Sequence, residues 1–131
     1  MTAGMVLAGC ASGGKGPGEK DLVMQSLNEF KVALETKNID KLKASLSDEF
    51  DHYEWGNKES MLAFVQDTMN QGDLDRAEVS LELVEIEVED GTATAYPVEL
   101  RAVFGSATIG FKMKKEADGV WRAVSMEMEG V

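Results

Sequence analysis

The stretch RAEVSLELVEIEVEDGTATAYPVELRAVFGSATIGFKMKKEADGVWRAVSMEME, Arg76 to Glu129, decides how the rest of the chain is read. Apolar residues alternate along it: Val79, Leu81 and Leu83; Ile86 and Val88; Tyr96, Val98, Leu100, Ala102 and Phe104; Ala107, Ile109, Phe111 and Met113; and last Val124, Met126 and Met128. A period of two predicts strands with one oily and one wet face, here four of them. Asp90-Gly91, Gly105-Ser106 and Asp118-Gly119 supply turns between them, so the strands pair as an antiparallel meander. The apolar phase slips between Leu83 and Ile86, which predicts a bulge that bends the sheet. Pro97 falls on the wet face and cannot donate to a ladder, which predicts an edge position or a second bulge.

A sheet with one apolar face must cover it, and the segments left to do so lie between Asp21 and Gln71. Val23, Leu27, Phe30 and Leu34 form the stripe of a first helix, with Asp21 as its N-cap and Asn38 at its end. Asp40 can cap a short second helix carrying Leu42 and Leu46. The acidic, aromatic run SDEFDHYEW, Ser47 to Trp55, predicts a short strand broken by Gly56. Asn57 can then cap a third helix bearing Met61, Leu62, Phe64, Val65 and Met69, closed by Gly72. The fold class is therefore α+β, with three N-terminal helices on a curved antiparallel sheet.

Acidic residues outnumber basic ones 24 to 13, giving a net charge of -11. Such a chain repels phosphate backbones, so nucleic acid is not an expected partner. The single cysteine, Cys10, excludes an internal disulfide. Its neighbours give it meaning, because Leu7-Ala8-Gly9-Cys10 resembles the lipobox of bacterial lipoproteins. That resemblance implies cleavage before Cys10 and a lipidated, membrane-anchored N-terminus. Residues 1-9 then read as the remnant of a signal peptide, whose apolar run is short and has no preceding Lys or Arg. Residues 10-20 read as the lipidated cysteine followed by a Gly- and Ser-rich tether, and 21-131 as the folded domain. In Gram-negative lipoproteins Ala11, rather than aspartate, after the cysteine implies the outer membrane, with the domain facing the periplasm.

The order of elements carries a second resemblance. A helix, a short helix opening with Ile39-Asp40, the loop Ser47-Asp48-Glu49-Phe50, Gly56 ahead of Lys58-Glu59, then long strands ending in Asp118-Gly119-Val120-Trp121-Arg122 resembles the NTF2-like (SnoaL-like, cystatin-like) superfamily. The resemblance implies a cone, a bent sheet wrapped around the first helix with a hydrophobic pocket at its mouth. Members include isomerases, dehydratases, cyclases and epoxide hydrolases beside many that only bind, so the fold does not choose among them.

Candidate acid-base residues are His52, Asp51 and Tyr96, the last on the core-facing parity of its strand. Pocket candidates are Phe30, His52, Trp55, Tyr96, Phe104 and Phe111. No cofactor motif is present, and the methionines (Met24, Met61, Met69, Met113, Met126, Met128) lack the His or Cys partners a copper site needs, so they read as adaptable fillers of the core or pocket wall. On the wet face Glu82, Glu85, Glu87, Glu99, Arg101, Lys112, Lys114 and Glu127 predict cross-strand pairs. So charged a face predicts a monomer or a weak homodimer. The leading expectation is a lipid-anchored, non-enzymatic binding or accessory module for a small apolar ligand. The alternatives are a small enzyme of isomerase, dehydratase or hydrolase type and a protein-protein adaptor in the envelope.

Overall fold

The computed structural model of the chain describes residues 18–130, so Cys10 and most of the stretch read as a tether lie outside the described residues. Helix α1 spans Glu19–Glu35, beginning two residues earlier than Asp21 and placing that aspartate in the first turn, where its charge favours the helix N-terminus. Its buried residues are Val23, Leu27, Phe30, Ala33 and Leu34. Lys37, with φ of 54°, takes the left-handed residue that ends the helix. Asn38 instead caps α2 (Ile39–Ser45), its side chain accepting the Lys41 N–H at 3.0 Å, and Asp40 falls inside the helix. Two short strands, β1 (Asp51–His52) and β2 (Gly56–Asn57), form a small hairpin. Asn57 caps α3 (Lys58–Asn70) by accepting the Ser60 N–H at 3.0 Å, and Gly72, with φ of 85°, follows that helix.

The main sheet has five strands rather than four: β3 (Glu78–Ser80), β4 (Glu85–Glu89), β5 (Thr92–Ala102), β6 (Gly105–Lys115) and β7 (Trp121–Glu129). Strands β5, β6 and β7 pair antiparallel in order, and β3 and β4 share the free side of β5. Register explains why the predicted first strand is broken. Ser80 pairs with Glu99 and Glu85 with Tyr96, so four residues, Leu81 to Val84, face only Pro97 and Val98. Pro97 has no N–H to offer, and the surplus leaves the sheet as a turn with Leu83 70% exposed.

Two bulges reset the apolar phase. Between the pairs Ala95–Phe111 and Val98–Ile109, Tyr96 and Pro97 oppose Gly110 alone, so Ala93 and Ala95 face the core before the bulge and Val98 and Leu100 after it. Tyr96 therefore leaves the core face that simple alternation assigns to it. Pro97 marks the bulge and not an edge, since β5 is paired on both sides. Val124 is the extra residue of the second bulge, between the pairs Lys112–Ser125 and Met113–Ala123, and Trp121, Ala123 and Met126 point inward instead. The hairpin between β5 and β6 turns at Val103 and Phe104, ahead of the predicted Gly105-Ser106.

Helix α1 lies along the inner face, and Phe30 meets Phe111 edge-on at a centroid distance of 4.9 Å. The end of α2 is tied to β7 by the Ser47 N–H, which donates to the Ala123 carbonyl at 2.9 Å. Buried Ser47 donates to Glu116 Oε2 at 2.6 Å, and Arg122 bonds Glu116, Asp118 and the Ala44 carbonyl, so one polar cluster fixes the Asp118-Gly119 turn against α2. Among the described residues, none of the eight charges predicted on the wet face forms an ion pair with another of them, and Lys114 pairs outside the sheet. Lys114 reaches Glu49 at 3.1 Å and Lys115 reaches Glu19 at 3.2 Å.

Candidate functional site

The first half of α1 is sealed against the sheet, but its last two turns are not. There α3 stands away from the sheet and leaves a cavity of about 500 Å³. Phe30 and Leu34 of α1, Leu42 of α2, and Met61, Phe64, Val65 and Thr68 of α3 form one side. The sheet supplies Leu100, Ile109, Met126 and Met128, and Phe104 reaches in from its turn. That turn is held in place because the Val103 and Phe104 N–H groups donate to the Asp75 and Asp73 carbonyls, each at 3.1 Å. The floor is apolar. The lining residues in contact with solvent mark the mouth: Glu54, Phe64 and Gln71 are exposed, and Trp55, Thr68, Asp73, Phe104 and Met128 partly so.

Trp55 is placed by the β1–β2 hairpin, and the hairpin is organised by His52. The His52 Nδ1 accepts the Glu54 N–H at 2.9 Å and the Trp55 N–H at 3.1 Å, closing the turn. Tyr53 and Trp55 stack on the imidazole at 4.5 and 4.1 Å, and Trp55 in turn stacks on Phe64 at 5.5 Å. His52 is 6% exposed and does not line the cavity. Its geometry is that of a hairpin brace, with one ring nitrogen already committed to two backbone donors.

The candidates picked from sequence thus separate. Phe30, Trp55 and Phe104 line the cavity; Phe111 packs behind Phe30; His52 lies under Trp55; and Asp51 is exposed on β1, paired in register with Asn57. Tyr96 is on the opposite, outer face, 49% exposed. Its ring lies over Gly110, where an added Cβ would come 3.3 Å from Tyr96 Cδ2, and its hydroxyl donates to Glu129 Oε1 at 3.1 Å. That hydrogen bond and the Glu129 charge raise the phenol above its ordinary pKa, which keeps it protonated. His52, Asp51 and Tyr96 therefore do not converge on one site. Met61, Met126 and Met128 line the cavity as methionines read to fill core or pocket wall, whereas sequence reasoning missed Leu34, Leu42, Phe64, Val65, Thr68 and Gln71 as lining, although the i, i+3, i+4 stripe of α3 contained the signal for several of them.

A larger hollow of about 990 Å³ lies between α1 and the Leu81–Leu83 turn. It is an open surface groove in which Met24, Val79, Leu81, Leu83 and Leu100 are interspersed with Lys31, Glu35, Glu78, Glu82, Glu99 and Arg101, so charged groups line it throughout and are not confined to a mouth. The smaller cavity under Trp55 is the candidate site. Among the described residues, Glu54 and Asp73 are its only charged lining residues, both at the mouth.

No protein-family model and no curated protein matches the chain. Solved structures do. The fold is similar to a cystatin-like protein of unknown function from Nostoc punctiforme, with a TM-score of 0.67, 16% identity, and coverage of 85% of this chain and 90% of that one. It is also similar to an NTF2-like protein of unknown function from Pseudomonas putida (TM-score 0.70, 12% identity, 85% of each chain). A third, an uncharacterised cystatin-like protein from Caulobacter vibrioides, gives a TM-score of 0.69 at 12% identity over 86% of this chain and 89% of that one. The architecture is therefore the α+β NTF2-like, cystatin-like fold, and likeness at such identity speaks to fold alone.

Proposed function

We propose that the domain is a non-enzymatic binding module that holds a small apolar ligand in the cavity between α1, α3 and the sheet, the open end of an NTF2-like cone. The observation that carries this reading is the cavity itself, about 500 Å³ with an apolar floor and polar groups confined to the mouth. Its size and character are those of small-molecule sites. The enzymatic alternative requires a titratable group facing the floor, and the candidate base His52 is instead engaged by the hairpin it braces. The module is carried on a lipid anchor at Cys10, facing the periplasm, with the outer membrane favoured. That part of the proposal rests on the Leu7-Ala8-Gly9-Cys10 sequence and Ala11.

Native mass spectrometry against single-chain amphiphiles, quinones and apolar peptides tests the cavity. A retained one-to-one adduct is expected, and Thr68→Trp, which places an indole at the mouth, should abolish it while cooperative unfolding persists. If no member of the panel gives an adduct, or the adduct survives Thr68→Trp, the cavity is not a binding site.

A further inference from the structure

The distribution of charge around the cavity says which head group a ligand should carry. Glu54 and Asp73 reach the mouth from two separate loops, the β1–β2 turn and the segment after α3. Like most carboxylates of this acidic chain, neither forms an ion pair among the described residues, and neither side chain has a hydrogen-bond partner there; what sets the two apart is that they are the charged residues of an otherwise neutral cavity lining. No lysine, arginine or histidine lines the cavity among the described residues. Phe64, stacked on Trp55 and 47% exposed, adds an aromatic surface at the same mouth, and Gln71 and Thr68 add neutral polar groups.

Resting on the cavity reading above, we propose that the ligand is a lipophilic cation, an alkyl amine or quaternary ammonium. Its apolar body lies among Phe30, Leu34, Val65 and Met128, and its charged head lies at the mouth beside Glu54, Asp73 and Phe64. Three physical effects agree. An ammonium is attracted by two carboxylates that no ion pair neutralises among the described residues, and half-buried Asp73 is less screened by water than exposed Glu54. Aromatic rings at a mouth favour a cation over an anion. A carboxylate head, as in a fatty acid, would be brought beside two like charges on a protein of net charge -11 and lose hydration without a basic partner.

Four probes of one chain length, decyltrimethylammonium, decylamine, decanol and decanoate, separate this from the cavity reading by calorimetry below their micelle concentrations. The two cations should bind more tightly than decanoate by about tenfold or more, with decanol between. The ratio of ammonium to decanol affinity should fall in Glu54→Gln and in Asp73→Asn, and salt should weaken the cations selectively. Thr68→Trp controls for general attraction to an acidic surface and should remove all binding. Decanoate binding as tightly as the cations, with the loss in Thr68→Trp retained, overturns the lipophilic-cation inference and leaves the cavity reading standing. Ammonium binding that survives Thr68→Trp overturns it as well, because the cation is then on the outside. Binding of none of the four overturns both.

Discussion

Phe30 has two duties that pull against each other. One part of its ring closes the core edge-on against Phe111, and another forms the cavity wall, yet it is only 4% exposed. Phe30→Ala should lower stability by about 3–5 kcal/mol, the range for deleting a buried phenyl ring. Denaturant unfolding checks it, and a midpoint moved no further than by a surface substitution would remove Phe30 from the core. Its position was legible because helical spacing with Val23, Leu27 and Leu34 leaves one face to bury. Tyr96 was not. It obeys the parity of Val98 and Leu100, but the bulge inserts one residue at Tyr96-Pro97 and inverts the parity upstream, carrying the ring onto the outer face. A bulge can be suspected from Pro97, but sequence does not say on which side of the proline the phase turns over. His52 illustrates a different limit. Its residue type suggests a base, and only the positions of two backbone amides reveal it as an acceptor that closes a turn.

At the scale of elements, strand β3 is a sheet edge, and edges invite pairing with other chains. Here α1 covers it with two charged side chains one turn apart. Lys31 Nζ donates to the Val79 carbonyl at 2.8 Å, Glu35 Oε2 accepts the Val79 N–H at 2.9 Å, and the two side chains pair with each other at 2.7 Å. Burial acts to raise the Glu35 pKa, but the hydrogen bonds from Lys31 and Val79 and the Lys31 charge together outweigh it and hold the carboxyl below its ordinary value. A lowered pKa in the folded state means that the clamp stabilises fully above the ordinary carboxyl range and is lost as pH falls through the folded value. Between about pH 5 and pH 3, wild type should therefore lose more stability than Glu35→Gln, so that the two unfolding curves converge on acidification. Parallel curves would show that the clamp contributes nothing. The helices, the hairpin signals at Asp90-Gly91 and Asp118-Gly119, and the alternation of β6 were all readable. The clamp was not, because it joins residues 44 and 48 positions apart whose proximity depends on the break at Leu81 to Val84.

For the whole molecule, the direction of α1 matters most. Its 17 residues make a rod about 25 Å long, with Glu19 pinned by Lys115 at one end and cavity-lining Phe30 and Leu34 near the other. The chain thus reaches the domain at the end remote from the mouth. On the proposed anchor at Cys10, the attachment would join the domain at Glu19, away from the cavity-lining residues, and would leave the mouth unobstructed. The net charge of -11 would hold the domain as a whole off anionic headgroups. Anchor and cavity should then be separable. Cys10→Ala should move the protein from the membrane to the soluble fraction and end incorporation of labelled fatty acid, while the unfolding midpoint and ligand adduct stay those of the wild-type domain. Label persisting in Cys10→Ala would remove the anchor from the proposal, and an adduct lost together with the label would mean that the membrane end of the molecule helps to form the binding site.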